Sequence, residues 1–249
     1  TQLDIYGALF ETAWLYSEGH HALDQETGGV LARIANHVCG IWRQPDSGIW
    51  EVRNGPFHFT HSKVMCWVAL DRAARLADRG EMPRGNAVRW RQEADAIRAY
   101  VDRECWSEEL HSYTRIAGSA DVDASLLMLP LVEWGDPQGE RMHGTIDAVN
   151  RLLRHGDVVY RYHAEDGVPG GEGCFLNCSF WLVGALARCG RVDEATALME
   201  RLAARANDVG LFSEEIDPES GAFLGNFPQA LVHLALIDAA KALAGSRVS

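Results

Sequence analysis

The sequence predicts an all-α fold, a toroid of stacked helical hairpins, on three observations. No stretch sustains period-two alternation of apolar and polar residues. Apolar residues recur at helical spacing from residue 3 to past 240. Helices that are apolar almost all round alternate with amphipathic ones at about 50 to 60 residues per pair, as stacked hairpins do when one helix lines an inner wall and the other faces water.

Taken in order, Leu3 to about Gly19 carries Leu3, Tyr6, Leu9, Phe10, Trp14 and Leu15 at helical spacing, and a turn follows at His20 to Leu23. Asp24 to about Trp42 has Val30, Ile34, Val38 and Ile41 on one stripe, which makes it peripheral. A helix from about Thr60, capped from within Thr60 to Ser62, runs to about Arg79 with Val64, Met65, Trp67, Val68 and Leu70 covering its circumference. Gly80 to Gly85 breaks it, and Asn86 to about Cys105 is charged with a stripe of Trp90, Ala94, Ile97 and Val101. Asp123 to about Trp134 reads as a nearly apolar helix despite Pro130, with Asp121 and Asp123 as helix-start acids. Arg141 to about Arg154, Phe175 to Cys189, Val192 to about Ala206 and Phe227 to Leu243 complete about nine helices. The longer loops precede apolar helices and the short links follow them, so the long loops are expected to gather on one rim.

The most informative stretch is residues 44–73, QPDSGIWEVRNGPFHFTHSKVMCWVALDRA. Pro45 to Gly48 and Asn54 to Pro56 are turn signals that pin Ile49 to Arg53 between two breakers. A loop feeding the end of a buried helix delivers its side chains toward the interior. There Glu51, beside Trp50, would lose hydration and keep its proton to higher pH, as a general acid near neutrality must. The plain alternative is a surface carboxylate anchored by Trp50. A second loop of the same construction, Asp208 to Asn226, offers Glu214 and Glu215 before another apolar helix. Tyr113 and Arg115, and Arg161 and Tyr162, sit on the two loops between; with Trp50 and Arg53 they form a set suited to stacking on and hydrogen bonding to a polar ring. A scaffold that binds another protein would show the same helical alternation without these side chains.

Composition narrows the partners. The chain has 249 residues, 47% of them hydrophobic, and its formal charge is 23 − 35 = −12 without a Lys/Arg run. Nucleic acid and an anionic membrane surface are therefore poor partners, and no apolar run approaches the ~20 residues of a membrane span. The six cysteines, Cys39, Cys66, Cys105, Cys174, Cys178 and Cys189, lack paired Cys-x-x-Cys spacing and read as buried free thiols of a reducing, cytoplasmic compartment. Cys174 and Cys178 have no accompanying pair of zinc-site spacing, so no metal and no cofactor is expected.

Three ordered motifs, PDSGIWEVR with HFTHSKVMCWVALDRA, then YRYHAEDGVPGGEGCFLNCSFWLV, then GLFSEEIDPESGAFLGNFPQALVHLALI, make the chain resemble glycoside hydrolase family 15. That family holds the glucoamylases, bacterial trehalases and dextran-acting glucosidases. The resemblance implies a ring of six helical hairpins and an inverting exo-acting α-glucoside hydrolase that releases β-glucose. It is glucoamylase-like, with α,α-trehalase as the alternative within the family and a non-catalytic sugar-binding or scaffold fragment as the alternative outside it. It places the general acid on Glu51, the general base on Glu214 and a sugar-binding arginine on Arg161. Glu215 remains an alternative base, although adjacent carboxylates on an extended loop cannot both face one pocket. In a six-hairpin ring the two acid-bearing loops would stand three inner helices apart, on opposite sides of the axis, which suits inversion.

The chain departs from the family pattern at its amino-terminal side. About nine helices are present where a closed ring needs twelve. The family's first three helices, with the Trp-x-Arg-Asp loop, have no counterpart, so residues 1–249 are expected to form one carboxy-terminal portion of the catalytic domain. An open ring would leave two apolar flanks, which invites self-association or loss of activity.

Overall fold

The computed structural model describes residues 1–163 and 172–246. Two compact units emerge, Thr1–Trp106 with Arg115–Ser119, and Ser107–Thr114 with the chain from Ala120 onward.

The first unit is built on α1 (Asp4–Glu18), α2 (Gln25–Ile41), α3 (Thr60–Asp78) and α4 (Ala87–Glu104), with a 3-10 turn at Arg84–Asn86. Every residue of α3 is buried except Asp71, Arg75 and Asp78, as the all-round apolar pattern requires. Its two buried cations are committed to partners. Lys63 Nζ donates to the carbonyl oxygens of Trp42 at 2.7 Å and Gln44 at 2.5 Å. Arg72, 1% exposed, pairs with Glu11 at 2.8 Å and Asp71 at 2.6 Å. Helix α1 lies so close to α3 that a Cβ on Gly7 would stand 2.4 Å from the Met65 carbonyl oxygen.

The second unit contains α5 (Glu140–Leu153), α6 (Leu176–Arg188), α7 (Val192–Ala203) and α8 (Ala230–Ser246), with α6 packed against both α7 and α8. Asp123 to Trp134 does not form the expected α-helix; Ala124–Val132 is a 3-10 helix with Pro130 inside it and Glu133 left-handed at φ 63°. Proline lacks the N–H and crowds the preceding turn, which breaks α-helical geometry. The acids fare differently from helix-start residues at a surface. Asp123 is 1% exposed and accepts a hydrogen bond from Ser125 Oγ at 2.7 Å rather than capping the segment's N–H groups.

An all-helical reading also misses seven strands of two residues each among the described residues. They are β1 (Trp106–Ser107), β2 (Ser112–Tyr113), β3 (Arg154–His155), β4 (Val158–Val159), β5 (Cys174–Phe175), β6 (Glu215–Ile216) and β7 (Phe223–Leu224). The last five pair antiparallel in chain order as one sheet. Two residues per strand are too few for alternation to register in a sequence. The start of α3 differs too, since its N-cap is Phe59, whose side chain makes no capping hydrogen bond. The closing helix begins at Ala230, three residues past the expected Phe227.

All six cysteines are free and buried. No helix among the described residues is long and apolar enough to cross a membrane. Large apolar side chains do reach solvent, Ile5, Leu9, Leu15 and Tyr16 on α1 in one unit and Leu231, Leu234 and Ile237 on α8 in the other.

Packing at Gly7 gives a direct test. Gly7→Ala forces α1 off α3 and should destabilise the protein by roughly 1–3 kcal/mol. Gly40→Ala, where a Cβ meets nothing within 4 Å on an exposed helical position, should instead add about 0.5–1 kcal/mol. Urea unfolding of the two variants beside the parent checks both signs.

Candidate active site

The nine candidate residues divide between the units. Trp50, Glu51, Arg53 and Arg115 lie in the first, and Tyr113, Arg161, Tyr162, Glu214 and Glu215 in the second.

In the first unit a bridge between Asp46 and Phe57, with reciprocal backbone bonds of 2.9 and 2.8 Å, closes a loop before α3. Within it Gly48 has φ +67°, and a Cβ there would meet the Phe59 ring at 2.8 Å, so glycine alone fits. The chain then turns, Glu51 N donating to Gly48 O at 3.2 Å and Val52 N to Ser47 O at 3.1 Å, with Glu51 itself left-handed at φ 50°. Residues ahead of α1 tie this turn down. Ser47 N donates to Thr1 O at 2.9 Å, Leu3 N to Asp46 Oδ2 at 2.9 Å, and Gln2 Nε2 to Gly48 O at 3.3 Å.

Glu51 is exposed at the crest of this turn, Trp50 is half-buried and Arg53 is exposed. The desolvation expected of Glu51 is therefore absent from its own side chain, because a left-handed residue at the tip of a tight turn points outward. Burial falls on Asp4 instead. Its carboxyl is pushed up to about 6 by desolvation and further by the negative charges of Asp46 and Glu51, against the pull of its own backbone N–H. Asp4 Oδ1 and Asp46 Oδ1 are both buried without a hydrogen-bond partner. Arg115 is buried, and its backbone oxygen accepts the Thr60 N–H at 3.0 Å, joining its loop to the start of α3.

In the second unit the five-stranded sheet gathers the loops on either side of α6. Glu214 sits in a bend just ahead of β6 and Glu215 opens the strand, and the two carboxylates take different partners. Glu215 Oε2 accepts the Gly173 N–H at 2.9 Å, and its carboxyl is raised by burial first, with the charges of Glu172 and Glu214 adding to it. Glu214 has other partners. Its Oε2 accepts Asn226 N at 3.1 Å and Asn226 Nδ2 at 2.9 Å, and its Oε1 accepts Gln229 Nε2 at 3.3 Å. The main chain of Glu214 is pinned as well, donating to Asn226 O at 2.9 Å and accepting from Leu176 N at 3.1 Å. Gly225, at φ +70°, makes room for it, since a Cβ there would stand 2.8 Å from Glu214 Oε2.

Arg161 donates from Nε to Glu172 at 3.0 Å, and its guanidinium lies 4.5 Å from the Phe175 ring centroid and 5.1 Å from that of Tyr162. Burial works against its charge, but the Glu172 carboxylate outweighs this and holds it above the ordinary arginine range. Tyr113 and Tyr162 are buried, at 5% and 7% exposure, and Tyr113 N donates to Thr145 Oγ1 at 3.0 Å. The HAEDGVPGG part of the second motif lies, apart from His163, outside the described residues. Sequence reasoning passed over Asn226 and Gln229. The Asn-x-x-Gln spacing just after a tight glycine turn is the pattern that places both on one carboxylate.

The family model for glycosyl hydrolases family 15 matches residues 1–241. The chain belongs to this family. Among relatives of family 15, a trehalase of Mycobacterium tuberculosis is 43% identical over 242 residues, covering 96% of this chain and 35% of the relative. A trehalase of Thermoplasma acidophilum is 35% identical over 244 residues, 97% of this chain and 42% of its own. The chain thus spans well under half the length of the curated relatives it matches. A solved glycosidase variant in complex with glucose superposes with a TM-score of 0.80 at 20% identity, over 98% of this chain and 67% of that one. A bacterial glucoamylase complexed with acarbose gives 0.70 at 17% identity, over 87% and 37%. These likenesses establish the fold class as the all-α helical-hairpin toroid of family 15 glycosidases.

The Asp4 carboxyl makes folding depend on pH. Its value rises from 3.8 to about 6 on folding, so the folded state holds the extra proton across that window. The stabilisation is complete below pH 4 and is lost as pH rises through 6, on the order of 2 kcal/mol in total. Asp4→Asn should remove it, so the variant gains on the parent between pH 4 and 7 in urea unfolding followed by circular dichroism.

Proposed function

We propose that this chain is the acid- and base-bearing portion of an inverting α-glucosidase acting on α,α-trehalose. Glu51 donates a proton to the glycosidic oxygen as the bond to the anomeric carbon breaks. Glu214 accepts a proton from the water that attacks that carbon from the opposite face, so one β-glucose and one α-glucose leave. Inversion calls for two carboxyl groups roughly 6.5–9.5 Å apart with a water between base and sugar.

The observation that carries the substrate is the 43% identity to a curated trehalase across nearly the whole chain. What supports Glu214 over Glu215 as base is hydrogen bonding. Glu214 is aimed by Asn226 and Gln229, whereas Glu215 is committed to the Gly173 N–H inside a strand pairing. Glu51 suits the acid role by standing clear on a turn fixed by backbone bonds, where it can reach a glycosidic oxygen. Trp50, Arg53, Tyr113, Arg115, Arg161 and Tyr162 are read as contributors to sugar recognition, with Arg161 held rigid by Glu172 and two rings.

Glucoamylase-like release of β-glucose from longer α-glucans is the second reading, favoured by the likeness to the bacterial glucoamylase. Initial rates on trehalose, maltose, isomaltose and soluble starch separate the two, with trehalose expected to be preferred.

Glu51→Gln and Glu214→Gln should each abolish turnover without unfolding the protein, and proton NMR of the parent's early product from trehalose should show α- and β-glucose in equal amounts. Full activity in either variant removes the assignment. Gly225→Ala should keep Glu214 chemically present but displaced, lowering kcat on the order of a hundredfold with little change in KM.

A further inference from the structure

The first unit holds a pocket of about 360 Å³ to which the proposed reaction gives no task. It lies between the end of α2, the chain ahead of α3, and α4. Ala96, Tyr100 and Arg103 line it at successive turns of one α4 face, and Trp42, Arg43, His58 and Lys63 complete the wall. Its described lining holds three cationic side chains and no carboxylate, in a chain whose formal charge is −12.

Two hydrogen-bonding groups of this wall are unmet. His58 Nδ1 is buried without a hydrogen-bond partner. Lys63 is fully buried at the floor, and of its three ammonium protons two go to the Trp42 and Gln44 carbonyls. Buried groups of this kind cost free energy until something bonds them, and the pocket is the space that both residues border. At the rim, Arg103 is 67% exposed and pairs with its neighbour Glu104 at 2.7 Å, a contact weak enough in solvent to yield to a ligand. Arg43 is held more firmly, 4.2 Å from the Trp42 ring centroid and 2.8 Å from Glu93. Each cation thus has a carboxylate within reach outside the lining, Glu93 for Arg43, Glu104 for Arg103 and Asp46 for Lys63. Donors without much surplus charge suit a singly charged ligand better than a phosphate or a dicarboxylate. The Tyr100 ring, 6.0 Å from that of Trp42, and the Ala96 methyl give such a ligand an apolar wall.

We propose that this pocket binds a small monocarboxylate with a flat apolar body, its carboxylate turned to Arg103, His58 and Lys63 and its body against Tyr100 and Ala96. Guanidinium and ammonium donors bond an ionised oxygen more strongly than a neutral one, and ligand pockets of this size pair apolar walls with a few convergent polar groups. The site needs neither Glu51 nor Glu214, so it stands apart from their assignment as acid and base. His58 reports on its occupancy. Burial first and then the Lys63 charge lower its imidazole, with Asp46 opposing them, while Arg43 after α2 and Tyr100 and Arg103 on α4 border the same space. An anion beside the ring favours the imidazolium, so occupancy should raise its midpoint, and by reciprocity binding should tighten as pH falls.

The test titrates the 249-residue chain with sodium benzoate at constant ionic strength and follows the His58 ring by proton–nitrogen NMR, its signal assigned by its loss in His58→Gln. Benzoate should shift that signal and raise its midpoint by about half a pH unit, and should bind roughly threefold tighter below the midpoint than above it. Arg103→Ala, at an exposed position, should weaken binding about tenfold with an unchanged circular dichroism spectrum, and Arg103→Lys should recover part of the loss. A His58 signal that ignores benzoate, or that responds equally in Arg103→Ala, overturns the proposal. Inorganic phosphate bound as tightly as benzoate overturns the choice of a monocarboxylate, and glucose bound as tightly overturns it in favour of a sugar site.

Discussion

The first unit depends on a single cation placed where no water reaches. Lys63 is fully buried, and its ammonium is held by two main-chain oxygens, those of Trp42 and Gln44. An ion in a low-dielectric interior is costly unless its protons are taken, and burial does push the ammonium below its ordinary range. The carbonyls that take those protons belong to the residues just after α2. Lysine on an all-buried helix therefore fixes where the preceding chain must run, and the Asp46–Phe57 bridge, the Gly48 turn and Glu51 follow from that point.

Glu214 is organised by a different principle. No buried charge anchors it; two-residue strands do, with β6 lying between β5 and β7 so that the main chain at 215–216 is paired on both edges. Glu214 sits in the bend just before that ladder, its N–H bonded to Asn226 O and its carbonyl oxygen to Leu176 N. The acidic pair is split, Glu215 toward Gly173 and Glu214 toward Asn226 and Gln229. A carboxylate aimed by side-chain amides can be displaced by a single methyl at Gly225, whereas a surface carboxylate on a backbone-fixed turn is less sensitive to its neighbours' shape. The two carboxylates thus carry different mutational liabilities.

The helices were legible because their apolar periodicity spans a dozen or more residues. α3 shows this best, with its continuous run from Val64 to Leu70 buried throughout. The strands were not legible, because a two-residue strand owes its pairing to partners up to 42 positions away, as Cys174 does to Ile216, and leaves no local trace. Pro130 was visible, yet an apolar run outweighed it in the reading while its missing N–H prevailed in the fold. The carboxylates proposed as acid and base were singled out from the turn residues that flank them. The surroundings of the acid were misjudged because burial was inferred for a loop residue from the helix it feeds. A left-handed φ at Glu51, which no sequence pattern announced, turned the side chain outward.

That outward turn separates two properties usually sought in one residue. A general acid must reach the substrate and must also hold a proton near neutrality, and burial that secures the second hinders the first. Here reach belongs to Glu51 at the crest of the turn, and rigidity to the loop beneath it, which the residues ahead of α1 bind. Dividing the requirements in this way leaves the carboxyl proposed as the acid free to meet a sugar while the main chain that carries it stays fixed in the scaffold. The arrangement fails if the head of α1 comes away from the loop, because the three hydrogen bonds from residues 1–3 to residues 46–48 are part of what holds the turn in place.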